Sequence, residues 1–172
     1  MNIFTIGHSN RTLEFFVNLL QGYEIERLVD VRTIPRSRNN PQFNRDTLPE
    51  MLRVTGIAYT HLSLLGGLRS THKDSLNTGW TNASFRGFAD YMQTLPFEQG
   101  LNELQKLSKK QLVAIVCAEA VPWRCHRSLI ADALTVRGIG VFHIMSRISA
   151  SKHQLTPWAQ VRGNQITYPG PT

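Results

Sequence analysis

The chain has 172 residues, 41% of them hydrophobic, and carries a formal net charge of +7 at pH 7. This size and hydrophobic content exclude a disordered chain and predict a single domain over residues 1–172, with a core at about 3–145 and a C-terminal extension at 148–172. No apolar run approaches the roughly 18 residues that cross a bilayer, so no membrane partner is predicted.

The N-terminal sequence lacks a basic region followed by an apolar one, so no secretory signal is predicted. We therefore expect a cytoplasmic location, with the two cysteines as reduced thiols rather than a disulfide framework. The excess of cations, most of them arginines, predicts an anionic partner such as a nucleotide, a nucleic acid or a phosphorylated metabolite. The alternative is a basic surface that only keeps the protein soluble.

Five short apolar segments with β-branched residues predict buried strands at 3–6, 28–31, 58–62, 112–117 and 141–145. Helical patterns lie between them, at 12–21, 47–55, 85–107 with a break near Pro96, and 125–137. Strands that alternate with helices predict an α/β fold, namely a single mainly parallel sheet of about five strands with helices on both faces.

Parallel sheets bind ligands beyond the carboxyl ends of their strands, so the residues after each strand are expected to gather at one edge. They are Gly7, His8, Ser9, Asn10 and Arg11 after the first strand, Asp30 and Arg32 at the second, Ser63 to Arg69 after the third, and Cys117 to Arg127 after the fourth. Gly7 permits a close backbone approach, and His8 is a candidate for proton transfer. Ser9 and Asn10 either bind a ligand or cap the next helix. Arg11 and Arg32 are candidates for anion binding, with Asp30 either orienting Arg32 or forming an ion pair at the sheet rim.

Two long segments without periodicity, 33–45 and 66–87, predict binding loops or lids. The first contains Arg36, Arg38 and Arg45 and no acidic residue, and the second carries Trp80. These four residues are candidates for nucleic-acid binding, which we expect to be tighter at low salt.

The stretch from Cys117 to Arg127 is the richest in reactive side chains. Cys125 is predicted to begin a helix, whose N-terminus favours an anion or a thiolate, so we expect it to ionise more easily than Cys117. Glu119 and His126 are candidates for proton transfer, and Arg127 for anion binding. The alternative is that Cys117 is a small buried core residue and Arg127 a surface cation.

Several ordered motifs together resemble the domain-of-unknown-function 488 family. They are Gly7-His8-Ser9-Asn10 with Thr12, Asp30-Val31-Arg32 with Pro35 and Ser37, Phe43-Asn44, Tyr59 through Leu65-Gly66-Gly67, and Cys117-Ala118-Glu119 with Cys125-His126-Arg127. The likeness runs from residue 3 to about 145. It implies an α/β fold and supports the site residues named above, and it implies no particular activity.

A fainter likeness is to the rhodanese-type sulfurtransferases and related phosphatases, in which a strand-end cysteine lies in a loop of backbone amides closed by an arginine. The likeness implies that Cys117 is a nucleophile and that Arg127 holds an anion. The loop here is longer than in those proteins, contains Glu119 and Pro122, and lacks the expected glycine. It is therefore a likeness of fold only.

Three functions follow from these patterns. The first is an enzyme, a hydrolase or a transferase, that acts on an anionic substrate such as a nucleotide or a nucleic acid. The second is a cysteine-based sulfurtransferase, and the third is a non-catalytic nucleic-acid-binding module. Metal binding, with His8 as the expected extra ligand, is a weaker alternative, because Cys117, Cys125 and His126 lack a compact zinc spacing. The sequence does not indicate which cofactor, if any, the protein uses.

Overall fold

A computed structural model describes residues 1–171, which form five α-helices and eight strands. The strands are β1 (Asn2–Gly7), β2 (Arg27–Asp30), β3 (Ala58–His61), β4 (Val113–Cys117), β5 (Gly140–Ile144), β6 (Ala150–Lys152), β7 (Gln160–Arg162) and β8 (Gln165–Thr167). The helices are α1 (Leu13–Gly22), α2 (Leu48–Val54), α3 (Ala83–Tyr91), α4 (Leu95–Lys110) and α5 (Arg127–Val136). None of these helices is long and apolar enough to cross a membrane.

The main sheet has six strands in the order β3-β2-β4-β1-β5-β6. The first five strands are parallel to one another, and β6 pairs antiparallel with β5. The predicted α/β class and the mainly parallel sheet are thus confirmed. The sixth strand was not predicted, because three residues with largely exposed side chains give no alternating pattern.

The helix boundaries follow from local sequence signals. The Thr12 side chain accepts a hydrogen bond from the Phe15 backbone N–H and so caps α1, as the Asn82 side chain does for α3. Pro96 lies in the first turn of α4, where its missing N–H costs nothing, and it therefore starts a new helix after the break. The last helix begins at Arg127 rather than at Cys125, because Pro122–Arg124 forms a separate 3-10 turn.

Two apolar cores cover the two faces of the sheet. One face packs against α1 and α2, where Phe16 and Leu52 are fully buried, and the other packs against α3, α4 and α5, where Phe88 and Leu101 are fully buried. The central strand β4 is buried along its whole length and supplies side chains to both cores. This is the packing expected of a parallel sheet between two layers of helices.

The C-terminal extension packs onto the second of these cores. Its strand β6 joins the main sheet, and β7 and β8 form a hairpin. Ile166 and Tyr168, at and just beyond the end of this hairpin, are buried in the core beside α3 and α5. The extension is therefore continuous with the fold rather than a free tail.

Candidate active site

A cleft of about 400 Å³ opens at the carboxyl edge of the sheet. Its wall includes residues that follow three neighbouring strands, together with parts of the segments 33–45 and 66–87. The lining residues are His8, Arg32, Thr33, Ile34, Arg36, Ser37, Gly67, Leu68, Ser84, Phe85, Cys117, Ala118, Glu119, Arg124, Cys125 and His126. The two segments that were predicted to be binding loops or lids thus both contribute to the wall of one cavity.

The ends of β1 and β4 are joined at the floor of this cleft. The His8 backbone N–H donates to the Cys117 carbonyl and the Ser9 N–H to the Ala118 carbonyl, each at 2.9 Å. A Cβ atom at Gly7 would collide with the Glu119 carbonyl oxygen. Glycine is therefore required at position 7 for the loop after β4 to lie against the loop after β1.

Arg32 is fixed in place by a buried ion pair. Its guanidinium donates to both carboxylate oxygens of Asp30, at 2.9 and 2.6 Å, and to the Phe43 carbonyl at 2.7 Å. The hydroxyl of Tyr59 also donates to Asp30, and burial beside this carboxylate raises the pKa of Tyr59. Asp30 is fully buried and Arg32 is almost so, so Asp30 orients Arg32 at the cleft floor.

His8 is a buried imidazole next to Arg32. The ring stacks on Phe43 with centroids 4.5 Å apart, and its Nδ1–H donates to the Ser9 carbonyl at 2.8 Å. The Nε2 atom is left as an acceptor and lies 3.3 Å from Arg32 Nη1. Burial lowers the pKa of His8, so the ring is neutral at pH 7 and offers a basic nitrogen at the cleft.

Arg127 lies behind the cleft floor, where 1% of its surface is exposed. Its Nε–H donates to Cys117 Sγ at 3.0 Å, and its two terminal nitrogens donate to Thr5 Oγ1 at 3.0 Å and to the Glu119 carbonyl at 2.7 Å. Burial is the main cause that lowers the pKa of Arg127 to about 9, which still leaves it charged at pH 7. No carboxylate within residues 1–171 forms an ion pair with it, so the Cys117 sulfur is its one ionisable hydrogen-bond partner there.

The structure pairs the two cysteine sulfurs as a disulfide at the cleft floor, so the expectation of two separate reduced thiols was wrong for this state of the protein. The Cα atoms are 7.6 Å apart. Disulfides usually hold their Cα atoms at about 4.4–6.8 Å, so this separation also suits the reduced pair of thiols. Only 3% of Cys117 and 6% of Cys125 is exposed, and the exposed parts face the cleft.

His126 is a neutral neighbour of Cys125. Its Nε2–H points at the carbonyls of Val31 and Leu65, at 2.9 and 3.1 Å, which leaves Nδ1 as an acceptor 3.6 Å from Cys125 Sγ. Burial lowers the pKa of His126 to about 4. A Cβ atom at Gly67 would lie 2.7 Å from His126 Nδ1, so this glycine lets the 66–87 segment approach the imidazole closely.

Seven of the predicted site residues line the cleft: His8, Arg32, Arg36, Cys117, Glu119, Cys125 and His126. The others do not line it. Ser9 adopts a positive φ of 49° in the turn after β1, Asn10 is exposed beside it, and the Arg11 guanidinium lies over Phe15. Arg38 and Arg45 are exposed outside the cleft, where Arg45 contacts His61. Trp80 packs among aromatic side chains.

The expected helix start at Cys125 was wrong, and it was the reason for favouring that sulfur as the more easily ionised. Because α5 begins two residues later, one backbone N–H, that of Arg127, reaches Cys125 Sγ, at 3.4 Å. The guanidinium of Arg127 instead donates to Cys117. The positive group that was expected beside Cys125 therefore lies beside Cys117.

The sequence analysis did not identify the apolar side chains of the cleft wall or the hydrogen-bond partners behind the cleft floor. Ile34, Leu68 and Phe85 line the cleft, but the first two lie in segments without periodicity and Phe85 fits the apolar pattern of a helix. The one available signal was the placement of Ser84 and Phe85 at a helix N-terminus after Asn82.

A chain of hydrogen bonds extends from Arg127 across the sheet. The Thr5 hydroxyl, which accepts from Arg127, lies 2.6 Å from His143 Nδ1. His143 Nε2 is 2.9 Å from His153 Nδ1, and His153 Nε2 is 2.7 Å from the Asp132 carboxylate. When each histidine ring carries a single proton, every group can donate a hydrogen bond to the next in the order Thr5, His143, His153, Asp132. Burial lowers the pKa of His143 to about 3.

The comparisons with known proteins identify a family and no closer relative. The family model described as "Domain of unknown function DUF488" matches residues 12–134, which include Cys117, Cys125 and their loop but not the motif after β1. Searches of the curated proteins and of the solved structures returned no match. Since the family model covers well over half of the chain, this protein belongs to the DUF488 family.

Proposed function

We propose that the cleft is the active site of a cysteine-dependent enzyme, a hydrolase or a transferase, that acts on an anionic substrate with Cys117 as its nucleophile. The single observation that carries this proposal is the 3.0 Å hydrogen bond from Arg127 Nε to Cys117 Sγ. A thiolate, not a thiol, is the nucleophilic form of cysteine.

The buried charge of Arg127 supports the thiolate. An unpaired ion in a protein interior costs several kcal/mol, and a buried cation is normally matched by a nearby anion. The other acceptors of Arg127 are a hydroxyl and backbone carbonyls, none of which carries a charge. In the reduced protein, ionised Cys117 supplies the missing negative charge, so folding of the reduced chain favours the thiolate at this position.

The cleft wall suits an anion that carries a flat apolar group. Arg36 and Arg124 are exposed and line the cleft, so their guanidinium groups are available to a phosphate or a carboxylate. Ile34, Leu68 and Phe85 line it as well and offer apolar contacts. A nucleotide combines these two features, and we place this activity in the cytoplasm, where thiols stay reduced.

The proposed reaction consists of two successive displacements at one atom of the substrate. Cys117 Sγ forms a bond to the electrophilic phosphorus or carbon of the substrate, and the leaving group departs with the electron pair of the bond that breaks. Water or the hydroxyl of a second substrate then attacks the same atom, and Cys117 departs as the thiolate with the electron pair of the bond to sulfur. The neutral His8 takes the proton from the incoming hydroxyl and releases it to solvent, from which the first leaving group takes up its proton. Glu119, exposed at the cleft rim, is a second candidate for this proton transfer.

Protection of Cys117 from alkylation tests the proposal. A nucleoside monophosphate should slow the labelling of Cys117 by iodoacetamide, mapped by mass spectrometry, and the matching nucleoside without phosphate should protect much less. Arg36→Ala should remove most of the protection, whereas Arg38→Ala, outside the cleft, should not. Equal labelling of Cys117 with and without a panel of nucleotides and other organic phosphates would contradict an anionic substrate.

A sulfurtransferase remains the second candidate, because it too needs a thiolate at Cys117. In that reaction the thiolate attacks the outer sulfur of thiosulfate, a Cys117 persulfide forms and sulfite leaves with the bonding electrons. Incubation with thiosulfate should then add one sulfur atom to Cys117, reversibly with reductant. The absence of that mass gain, together with protection by a nucleotide, favours the first function.

A further inference from the structure

A second cavity, of about 340 Å³, lies beside the cleft and has no role in the proposed reaction. We call it the tryptophan pocket, because Trp80, Trp123 and Trp158 line it, together with His143, His153 and Lys152. The exposed fractions of Trp123 and Trp158 are 64% and 45%, and exposed aromatic side chains that line one cavity mark a binding site more often than scattered ones do.

The tryptophan pocket and the cleft share a wall. Trp123 lines the pocket, and the next residue, Arg124, lines the cleft, so the short turn Pro122–Arg124 separates the two cavities. On the other side an aromatic row connects them: Phe85 of the cleft packs on Trp80, with centroids 5.1 Å apart, and Trp80 packs on Trp158 at 5.0 Å. A ligand that fills the cleft therefore meets an aromatic surface next to it.

The charge of the pocket selects an anionic aromatic ligand. Lys152 lines it and no carboxylate does, within the part of the chain that the structure describes. On the turn between the cavities, the exposed Arg124 is next in sequence to the exposed Trp123. Alternation of aromatic rings with cations is the pattern by which proteins bind single-stranded nucleic acids, whose bases stack on the rings while the cations contact the phosphates.

We propose that the tryptophan pocket holds one base of a single-stranded nucleic acid, stacked on Trp123 and Trp158, while a neighbouring nucleotide occupies the cleft. The inference deepens the proposed function and rests on it for the nucleotide in the cleft. A single strand fits better than a duplex, because only unpaired bases can turn into a pocket and stack on side chains.

Titration of a fluorescently labelled single-stranded DNA oligonucleotide at low salt tests this assignment. Trp123→Ala should weaken binding by about 5- to 150-fold, the factor that corresponds to about 1–3 kcal/mol for one stacked base. Trp123→Phe, the matched control, keeps an aromatic ring and should retain most of the affinity. The same sequence as a duplex should bind more weakly to the wild-type protein than the single strand does.

The outcomes separate this inference from the proposed function. Equal affinity of the wild type and Trp123→Ala, equal affinity for duplex and single strand, or no binding at low salt would each overturn the tryptophan pocket. Cys117 labelling without nucleic acid tests the thiolate alone. If that labelling is slow while Trp123→Ala still binds the oligonucleotide more weakly than the wild type, the pocket stands and the proposed reaction fails.

Discussion

Arg127 has a different role from the one expected of a cation beside a cleft. Its N–H groups are already hydrogen-bonded inside the protein, so it holds Cys117 and the loop after β4 rather than a ligand. Substrate contact falls instead to the exposed Arg36 and Arg124. Arg127 is thus a positioning residue, and its effect on the reaction passes through the sulfur.

We expect Arg127→Met to destabilise the fold by on the order of 3 kcal/mol, because it leaves buried acceptors unpaired. Labelling of Cys117 at neutral pH should also fall by roughly tenfold, the factor that about 1.4 kcal/mol of lost thiolate stabilisation carries. Chemical denaturation and labelling kinetics measure the two effects. Arg127→Lys keeps the positive charge, so it should disturb the fold less than Arg127→Met does. It should also retain part of the labelling rate of Cys117.

Arg147→Met, at an exposed arginine outside the cleft, is the control for this substitution. It should leave both the stability and the labelling rate close to wild type. If Arg127→Met and Arg127→Lys fold and label at the wild-type rate, Arg127 does not stabilise the thiolate.

The pH dependence of stability follows from His126. Its pKa in the folded protein, about 4, is below its ordinary value of 6.5, so the unfolded chain takes up the proton more readily. Its contribution to stability is therefore complete above about pH 6.5 and is lost as the pH falls towards 4. His126→Gln does not titrate, so its melting temperature should fall less between these pH values, whereas identical slopes for the two proteins would contradict the assignment.

The residues that the sequence predicted best are those fixed by strand ends. His8, Arg32 and Cys117 meet at one edge because parallel strands end together. The sequence could not show which predicted cation contacts which sulfur, because the Cys117–Arg127 contact depends on where the 3-10 turn ends and α5 begins.

At the level of elements, the loops after β1 and β4 act as one unit. Gly7→Ala places a methyl group against the Glu119 carbonyl, so we expect a loss of about 1–3 kcal/mol of stability and slower labelling of Cys117. Gly22→Ala is the control, because a Cβ atom there meets no atom within 4 Å and alanine favours the helix. Equal stability of the two variants would show that the loops are not tightly coupled.

The C-terminal extension is joined to the site by Asp132 of α5. This buried carboxylate accepts hydrogen bonds from Thr156, Tyr168 and His153, all of which lie in the extension. A segment of this kind cannot be predicted from periodicity, because side-chain hydrogen bonds to one buried acid leave no apolar pattern in the sequence. The same holds for the Thr5–His143–His153 chain, whose members lie on β1, on β5 and just after β6.

Asp132→Ala should therefore release the extension as well as destabilise the core. We expect a loss of on the order of 3 kcal/mol, since one fully buried acceptor and its donors lose their partners. Hydrogen exchange should show faster exchange in β6, β7 and β8 than in α2. Uniformly faster exchange across the chain would contradict a specific link between Asp132 and the extension.

For the whole molecule, the alternation of apolar segments was sufficient to predict the α/β class and the two helical layers. It was not sufficient to predict the strand order, which places β4 between β1 and β2. That order is a property of long-range packing, and it is what places Cys117 at the centre of the site. The net charge of +7 leads us to expect an anionic partner, but it does not indicate which surface would bind it.

The salt dependence of nucleic-acid binding tests which cations of the protein contact the phosphates. If nucleic acid binds across the 33–45 segment, the combined Arg36→Ala, Arg38→Ala and Arg45→Ala variant should weaken binding and flatten the salt slope by about one unit for each phosphate that it no longer neutralises. A triple alanine variant of Arg53, Arg147 and Arg162, three exposed cations outside the cleft, controls for net charge. Equal slopes for the two variants would mean that the arginines of the loop form only a solvated surface.

The most direct test of a thiolate at Cys117 is the rate at which each cysteine reacts with iodoacetamide in the reduced native protein at about pH 6.5, below the ordinary ionisation range of a thiol. Cys125→Ser and Cys117→Ser isolate the two sulfurs, and mass mapping identifies the modified residue. We predict that Cys117 in the first variant reacts much faster than Cys125 in the second, and that denaturation abolishes the difference. Faster reaction of Cys125, or slow reaction of both until about pH 8.5, would contradict an Arg127-stabilised thiolate at Cys117.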